Sequence, residues 1–454
     1  MSRCVMLVAP LLGSAASLVL AGGASAQVET VPSLTVTAGG AYSSSPFLQP
    51  DSNGNSRSSG AASTQLDVRP SVNFSQGTDS ATVSANYNRA DYFSRYGSNS
   101  GYGVSASGRT EPNARTSLGV SVAFDSQILG GGAGFITPLT PPAALPGTIS
   151  GSPSVIGGVT QGASPVVDGN APAFTPVTVT PVNLIGVDGD VGLIGLRQRR
   201  NLLSAEANGS YRTDPRSTWN GGLNISRSSY PGVASTSPFV NNFNSYGGSL
   251  GYSRALTEIS TVGFQVAASY VDYDNGFASQ IYTPRATYST SLSERLNLSL
   301  AAGAAISRQT GTQAGVTQDG RRRVTVSVNG SLCRTGERSN GCVTVSRTPT
   351  VTGFGGVRTQ TDIGASFSYR FNPDLSGALS ANYSRVGAVQ GEVLFPVPAQ
   401  DIIFTDASLQ RRLGRRLSAV GSVSYRRGGG GIVGNNINDV TGRLGLSFSI
   451  GRFQ

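Results

Sequence analysis

The sequence predicts an all-β protein: a transmembrane antiparallel β-barrel of about 16 strands with short periplasmic turns and long extracellular loops. Apolar and polar residues alternate along many segments of about ten residues, as expected for strands with two different faces. The apolar faces contain many Ala and Gly residues. Such faces would leave a dry protein core underfilled, whereas lipid tails can fill around them. Short and long connections also alternate along the chain, which is typical of membrane barrels.

The composition excludes several other classes of protein. The chain has 454 residues, of which 38% are hydrophobic and only 13% are charged. After the first thirty residues, no window contains eighteen or more apolar residues, which argues against a membrane-spanning helix. All 34 basic side chains are Arg, and the formal net charge is +10. Length and composition therefore fit a large barrel better than a disordered chain or a helical membrane protein.

The first 26 residues have the pattern of a signal peptide. Arg3 supplies a positive start, residues 5–20 form an apolar stretch, and Ala-x-Ala ends at Ala26. A membrane anchor is the alternative, but the apolar run is short and ends in a cleavage pattern. We therefore expect an exported mature chain that begins at Gln27 and carries a formal charge of +9 after Arg3 is removed.

The predicted strands share a two-residue period with one apolar and one polar face. Clear examples are QLDVRPSVNF (65–74), ATVSANY (81–87), SLGVSVAF (117–124), SAEANGSY (204–211), LNLSLAAGAAI (296–306), DIGASFSYRF (362–371), LSGALSANY (375–383) and VTGRLGLSFSI (440–450). One such run is weak support for a barrel, but many runs of similar length are strong support. In the run 375–383, Leu375, Leu379 and Tyr383 are predicted to face lipid.

The connections provide the strand count. Seven short links are predicted at 75–81, 109–115, 212–218, 254–260, 292–296, 371–376 and 411–416. Eight longer links are predicted at 42–62, 92–101, 127–189, 229–243, 273–280, 308–358, 387–400 and 427–437. Fifteen connections imply sixteen strands, with an error of two strands either way. Short turns belong to the periplasmic end of a barrel, so both termini are expected there.

Two cysteines remain after the signal peptide, Cys333 and Cys342. Eight residues separate them, including Gly336 and Gly341, and an exported chain lies in an oxidising compartment. A disulfide that closes a loop is the expected state, and two unrelated reduced thiols are the alternative. The Val alternation on both sides of the pair predicts that 308–358 is an extracellular hairpin loop, which could contact a partner or shield the barrel mouth.

The absence of His limits the chemistry that the chain can perform. The sequence contains no His, and only this one pair of thiols remains after the signal peptide, which excludes a zinc site and removes the usual general base. We therefore expect no enzyme activity, no catalytic residues, no metal and no cofactor. Nucleic-acid binding is also not expected, because the Arg residues are spread over strands and turns of an exported protein.

Charged residues collect on the polar faces that would line a pore. The pore-lining candidates are Arg69, Arg109, Asp125, Glu206, Arg212, Asp362, Arg370, Asp406, Arg412, Arg426 and Arg443, with Asp67 on the same faces. An excess of Arg in a pore favours anions or acidic sugars. The alternative is an internal lattice of ion pairs that stiffens the wall. Two further Arg clusters, 321–323 and 411–416, are predicted to contact anionic headgroups or lipopolysaccharide.

Two terminal motifs resemble those of a known family. The stretch VTAGGAYSSSPF (36–47) is similar to the first strand of Gram-negative outer-membrane β-barrels, especially porin-like barrels of the alphaproteobacterial type. The stretch RLGLSFSIGRF (443–453) resembles the closing strand that the barrel-assembly machinery reads, although Phe453 is penultimate rather than last. The resemblance implies recognition by that machinery. It also implies that the Gly- and Pro-rich loop 127–189 constricts or plugs the pore, with an external mobile loop as the alternative.

Together these features predict a location and a function. We expect a cell-outer-membrane porin or channel for passive diffusion or export of small solutes or saccharides. The alternative is a non-conducting structural or accessory barrel of an envelope or exopolysaccharide secretion system. The expected partners are outer-membrane lipid, lipopolysaccharide and the barrel-assembly machinery. Polysaccharide or small anionic solutes, and assembly as a homotrimer, are left open.

Overall fold

A computed structural model describes most of the chain after residue 27. The described residues are 28–47, 49–50, 56–57, 60–94, 96–128, 198–231, 240–313, 316–318, 320, 322–353, 356–388, 399–429 and 437–451. The predicted signal peptide, almost all of the loop 127–189, Arg321 and Phe453 lie outside these residues. In the part of the chain that the structure describes, no helix has the length and apolar character needed to cross a membrane.

Eighteen long antiparallel strands form one sheet. They are β1 Glu29–Ser43, β2 Ala61–Gln76, β3 Asp79–Tyr92, β4 Ser98–Asn113, β5 Thr116–Ile128, β6 Arg199–Asp214, β7 Ser217–Ser229, β8 Phe243–Ala255, β9 Ser260–Tyr273, β10 Phe277–Ser293, β11 Leu296–Gln313, β12 Arg322–Thr335, β13 Ser339–Val351, β14 Val357–Asn372, β15 Leu375–Val386, β16 Gln400–Arg412, β17 Leu417–Gly429 and β18 Ile437–Gly451. The short strand Val316–Gln318 pairs with the end of β11, and Gln49–Pro50 pairs with Ser56–Arg57.

The sheet closes on itself. Each long strand pairs with its neighbour in sequence, and β1 pairs with both β2 and β18. The β1–β18 register runs from Ser33 opposite Gly451 to Ser43 opposite Thr441. Closure leaves no long unpaired edge, which is the condition for a sheet to cross a bilayer. The predicted antiparallel barrel is therefore confirmed.

The barrel has eighteen strands rather than sixteen because the segment 308–358 is not an external hairpin loop. It contains the end of β11, all of β12 and β13, and the start of β14. The strands β12 and β13 belong to the wall, since β12 pairs with β11 and β13 pairs with β14 along most of their lengths. The loop prediction at 308–358 was wrong because the short turn 336–338 was read as the tip of a projection, whereas eighteen strands lie within the stated error of two.

Short and long connections lie at opposite ends of the barrel. The eight short turns are 77–78, 114–115, 215–216, 256–259, 294–295, 336–338, 373–374 and 413–416. They share one end with the start of β1 and the end of β18, and we refer to it as the periplasmic end because short turns lie there in barrels of this kind. The seven predicted short links all match turns at this end.

The two faces of the wall have opposite chemistry. In β15, Leu379 is 55% exposed and points outward, whereas Ser380 is 6% exposed and points inward. Leu375 and Tyr383 share the outward parity of Leu379, as predicted. Large apolar side chains are exposed around the outer surface, with Leu444 at 75%. An exposed apolar band of this extent requires lipid around it.

Aromatic side chains stack on the outer surface near both ends. Toward the periplasmic end, Trp219 and Tyr252 have ring centroids 5.1 Å apart. Toward the opposite end, Tyr246 and Tyr270 stack with centroids 6.4 Å apart. Amphipathic rings at these two levels match the aromatic girdles that membrane barrels place at the headgroup layers.

Candidate functional site

Part of the inner wall in the periplasmic half is exposed to solvent. Ser107, Asn208, Asn297 and Ser299 all have the inward parity of their strands, and all four residues are exposed. Inward side chains of a filled barrel would be buried by the opposite wall or by each other. Their exposure therefore indicates a water-accessible lumen at this end.

The inner surface is buried near the opposite mouth, on the side of β8–β14. Phe243, Val271, Tyr273 and Ile281 form an apolar cluster with Tyr230 and Val351. The backbone N–H of Asn241 donates to the carbonyl of Gly353 at 2.6 Å, which joins the β7–β8 connection to the β13–β14 connection. The Tyr273 hydroxyl donates to the carbonyl of Gly356 at 3.2 Å. These contacts narrow the external mouth on this side.

A second cluster lies on the side of β1–β4. The rings of Phe47, Tyr92 and Tyr96 form a triangle with centroids 5.5 to 5.7 Å apart. Phe47 and Tyr96 are each 1% exposed. The Ser-Pro-Phe segment that follows β1 is therefore folded inward and does not project from the barrel.

Three predicted lining residues and one missed residue lie on neighbouring strands. Asp406 on β16, Arg426 on β17, and Arg443 and Asp439 on β18 all point inward. An Arg426 Nη2 to Asp439 Oδ2 distance of 3.6 Å marks an ion pair, and the same guanidinium nitrogen donates to the carbonyl of Pro46 at 3.4 Å. Sequence reasoning missed Asp439, which the run beginning at Val440 excluded by one residue.

Two other predicted arginines pair along their own strands. Arg69 Nε lies 2.7 Å from Asp67 Oδ1, and Arg109 Nη2 lies 2.6 Å from Glu111 Oε1. Partners two residues apart on a strand share a face, so both pairs belong to the inner wall. The parity that identified Arg109 also places Glu111 inward, which makes Glu111 a further lining residue.

Asp362 belongs to a hydrogen-bonded network on the inner wall. Ser346 Oγ donates to its Oδ2 at 3.0 Å, and Gln360 Nε2 donates to its Oδ1 at 2.9 Å. Gln360 also donates to Ser384 Oγ at 3.3 Å. This carboxylate is held by neutral donors on two strands, β13 and β14, rather than by a predicted arginine.

The remaining predicted lining residues are spread around the barrel. Asp125 and Glu206 point inward on β5 and β6, and Glu206 is 7% exposed. Arg212, Arg370 and Arg412 have inward parity close to the periplasmic turns, where Arg370 and Arg412 are exposed. Among the described residues, no carboxylate lies within ion-pair distance of these three arginines.

One inward arginine escaped prediction. Arg285 on β10 is 2% exposed, and its side chain crosses Gly303 on the next strand, where a Cβ atom would lie 2.9 Å from the Arg285 Cγ. The guanidinium approaches the amide of Asn329 on β12 when that amide is oriented with its oxygen toward Arg285. Arg285 lies outside the alternating runs that the sequence analysis assigned to faces.

The cysteine pair is bonded, but not at the predicted place. Cys333 and Cys342 are opposite each other on β12 and β13 and form a disulfide with a Cα–Cα distance of 4.1 Å. They lie beside the turn 336–338, at the periplasmic end, with the inward parity of their strands. The predicted extracellular staple is therefore a staple of a periplasmic turn.

The closed sheet, the apolar outer band and the polar interior define the class of the protein. Only helices and closed barrels satisfy every backbone group inside lipid, and a barrel with this arrangement of faces is of the outer-membrane type. The chain therefore has the fold of a transmembrane β-barrel of the outer-membrane type. Among the described residues, no three His, Cys, Asp or Glu side chains are grouped as a metal site would require.

Comparisons with known proteins found solved structures whose sequence identity to the chain is low. No protein-family model and no curated protein matches the chain. OpdQ of Pseudomonas aeruginosa is 11% identical with a TM-score of 0.41, covering 93% of this chain and 98% of its own. OccK2 (OpdF) of the same organism, in complex with glucuronate, is 11% identical with a TM-score of 0.44, covering 94% and 99%. OccAB3 of Acinetobacter baumannii is 10% identical with a TM-score of 0.39, covering 93% and 100%.

Proposed function

We propose that the protein is an outer-membrane channel for the passive diffusion or export of small solutes or saccharides. The observation that carries this proposal is the exposure of inward residues such as Asn208 and Ser299 in a closed barrel. A barrel with a water-accessible inner wall toward the periplasmic end provides a path for polar solutes, which cannot cross the apolar band. The narrowest part of that path lies toward the external mouth, where inward residues are buried.

The predicted charged residues would line this path in two different roles. Near the external mouth and along β2, arginines such as Arg426 and Arg69 are ion-paired and support the wall. Near the periplasmic end, Arg212, Arg370 and Arg412 have no carboxylate partner among the described residues, and these are the side chains that would favour anions. In this proposal, the ion-paired arginines stiffen the wall, and the arginines near the periplasmic end select anions.

A non-conducting accessory barrel is the second candidate, and one observation favours it. The hydrogen bond between Asn241 and Gly353 joins two connections that are six strands apart, over the apolar cluster of Phe243 and Ile281. A mouth closed in this way would stop solutes and leave the barrel to serve an envelope or exopolysaccharide secretion assembly.

Conductance of the purified protein in planar bilayers separates the two candidates. A channel gives reproducible open steps, and its reversal potential in a salt gradient reports anion preference. Replacement of Arg212, Arg370 and Arg412 by Gln should shift that potential toward cations, whereas Arg308→Gln, an exposed and outward-facing substitution at the other end, should not. Persistent silence at several protein concentrations would reject the channel in favour of the accessory barrel.

The expected partners of the protein follow from its proposed location in the outer membrane. The apolar band implies outer-membrane lipid and a lipopolysaccharide environment. Recognition of β18 by the barrel-assembly machinery, assembly as a homotrimer, polysaccharide as cargo and the alphaproteobacterial subtype are supported only by the sequence patterns and stay predictions.

A further inference from the structure

One turn geometry recurs around the periplasmic end. In seven of the eight short turns, the carbonyl of the last turn residue accepts a backbone N–H from the strand of the next hairpin. Five of these seven residues are arginines, which we call the arginine rim: Arg115, Arg216, Arg295, Arg338 and Arg416. The N–H to carbonyl distances at these five residues are 2.8 to 2.9 Å.

Side-chain caps fix the same position in three of these turns. The N–H of Arg115 donates to Asn113 Oδ1 at 2.9 Å, that of Arg216 to Asp214 Oδ1 at 2.8 Å, and that of Arg295 to Ser293 Oγ at 3.3 Å. Caps of this kind set the turn conformation through the preceding Asn, Asp or Ser. The backbone of each arginine is therefore held while its side chain points to solvent.

Carboxylates lie in the same turns as the rim, at Asp214, Glu294, Glu337 and Asp374, but among the described residues only Glu337 comes within ion-pair distance of a rim arginine. Arg295 and Glu337 are 3.8 Å apart, but both side chains are largely exposed, so this pair contributes little. Arg115, Arg216, Arg338 and Arg416 are exposed and have no carboxylate within ion-pair distance among the described residues.

Inward arginines continue the rim into the lumen. The backbone N–H of Arg212 donates to the carbonyl of Arg115, and that of Arg370 donates to the carbonyl of Arg338. These contacts place two arginines backbone to backbone in each pair, with one at the turn and one facing the lumen. No carboxylate lies within ion-pair distance of these four arginines in the described part of the chain, and anionic lipid headgroups outside the barrel could not reach the two inward ones.

We propose that the arginine rim is a capture surface for multiply charged anionic solutes at the periplasmic mouth. The inference rests on the proposed channel function and specifies its cargo and the side of approach. Successive hairpins are about 10 Å apart, twice the spacing of strands. That distance is close to the screening length of about 10 Å at 0.1 M salt, so the fields of Arg115 and Arg216, and those of Arg295 and Arg338, overlap. Overlapping fields at a mouth concentrate counter-ions and raise their association rate.

A binding measurement on the detergent-solubilised full-length protein tests the rim without requiring conduction. The probe is a hexaglutamate peptide, with hexaglutamine as the uncharged control. We expect hexaglutamate to bind, and the variant carrying Arg115→Gln, Arg216→Gln, Arg295→Gln and Arg338→Gln to lose about tenfold in affinity and most of the salt dependence. A matched variant with Arg308→Gln, Arg322→Gln, Arg385→Gln and Arg427→Gln, all exposed at the other end, should bind as the native protein does.

The possible outcomes test the capture surface and the proposed channel function separately. Equal loss in both variants, or no binding by either peptide, overturns the capture surface. Bound phosphatidylglycerol that survives purification of the native protein but not of the rim variant, with no peptide binding, assigns the rim to headgroups instead. If bilayers stay silent while the rim-specific binding persists, the channel is rejected and the capture surface remains. In conducting bilayers, we expect hexaglutamate to block at lower concentration from the periplasmic side.

Discussion

Ser43 Oγ donates a 2.6 Å hydrogen bond to Asp439 Oδ1 and so joins the first strand of the barrel to the last. The same oxygen accepts from Ser44 Oγ at 3.2 Å and from the backbone N–H of Ser45 at 2.8 Å. Asp439 is 3% exposed and also faces the Arg426 guanidinium. One carboxylate thus closes the barrel, folds the segment after β1 inward and balances a buried cation.

Replacement of Asp439 by Ala should destabilise the barrel strongly. The substitution removes the acceptor of three donors and leaves the buried Arg426 without the carboxylate that it faces, and breaking a buried pair in this way costs about 3–5 kcal/mol. Urea unfolding of the vesicle-inserted protein, followed by the fluorescence of Trp219, the only Trp of the chain, would measure the change.

Two comparisons make the effect of Asp439→Ala specific to the closure. Asp439→Asn keeps an acceptor oxygen but no charge, so we expect a smaller loss. Asp401→Ala removes an exposed, outward carboxylate on β16 and should leave the unfolding midpoint unchanged. If both aspartates could be replaced at the same small cost, the hydrogen bonds of Asp439 would not be what holds β1 to β18.

Neighbouring residues of β11 test which face of the wall meets lipid. Leu300 points outward and is 44% exposed, whereas Ser299 points inward and is exposed to the lumen. Leu300→Arg should destabilise the protein by about 2–4 kcal/mol if the position lies near the middle of the bilayer. Ser299→Arg should leave the unfolding midpoint nearly unchanged and increase the anion preference of conducting channels. Equal tolerance of Arg at both positions would contradict the assignment of faces.

The alternation of side chains predicted most of the wall because it reports a local property, the two faces of a strand. It assigned Leu379 and Ser380 to opposite faces correctly and placed every predicted lining residue on the inward parity. Turn position was harder to predict. The Val alternation before Cys333 was recognised, yet the turn after it was taken as the tip of a loop, which removed two strands from the count.

Contacts between distant segments could not be predicted from local pattern. The sequence contains no signal that pairs Asp439 with Ser43, because 396 positions separate them and their contact exists only after closure. The same holds for Arg285, whose side chain crosses Gly303 to reach the strand beyond it. Parity identifies the side of the wall that a residue faces, whereas its partners depend on the register of strands that are far apart in sequence.

The position of the disulfide predicts from which side of the membrane a thiol reagent can reach the cysteines. Since Cys333 and Cys342 lie beside a periplasmic turn, a bulky polyethylene-glycol maleimide added to intact, reduced cells should not label them. Permeabilisation of the outer membrane should make labelling possible. Efficient labelling of intact cells would instead support an external hairpin at 308–358.

Loss of the disulfide should have only a modest effect on stability. Eight residues lie between the cysteines, so the chain-entropy model allows no more than about 3 kcal/mol, and the ladder between β12 and β13 already restrains the turn. The Cys333→Ser, Cys342→Ser double variant should therefore assemble and conduct normally, with a small decrease in the urea midpoint. Failure to assemble would show that the staple is needed to form these two strands.

Gly303 is required because β10 and β11 approach too closely for any side chain there. An added Cβ atom would collide with the carbonyl oxygen of Pro284 and lie 2.8 Å from the Arg285 Cα. Because these are backbone atoms, Gly303→Ala must push the strands apart, at the cost of about 1–3 kcal/mol that overpacking typically brings. Gly442→Ala, on the outer face of β18 with no atom within 4 Å of the added Cβ, should be tolerated. Urea midpoints of the two variants measure the difference, and a Gly303→Ala variant as stable as the Gly442→Ala variant would show that the β10–β11 approach is looser than described.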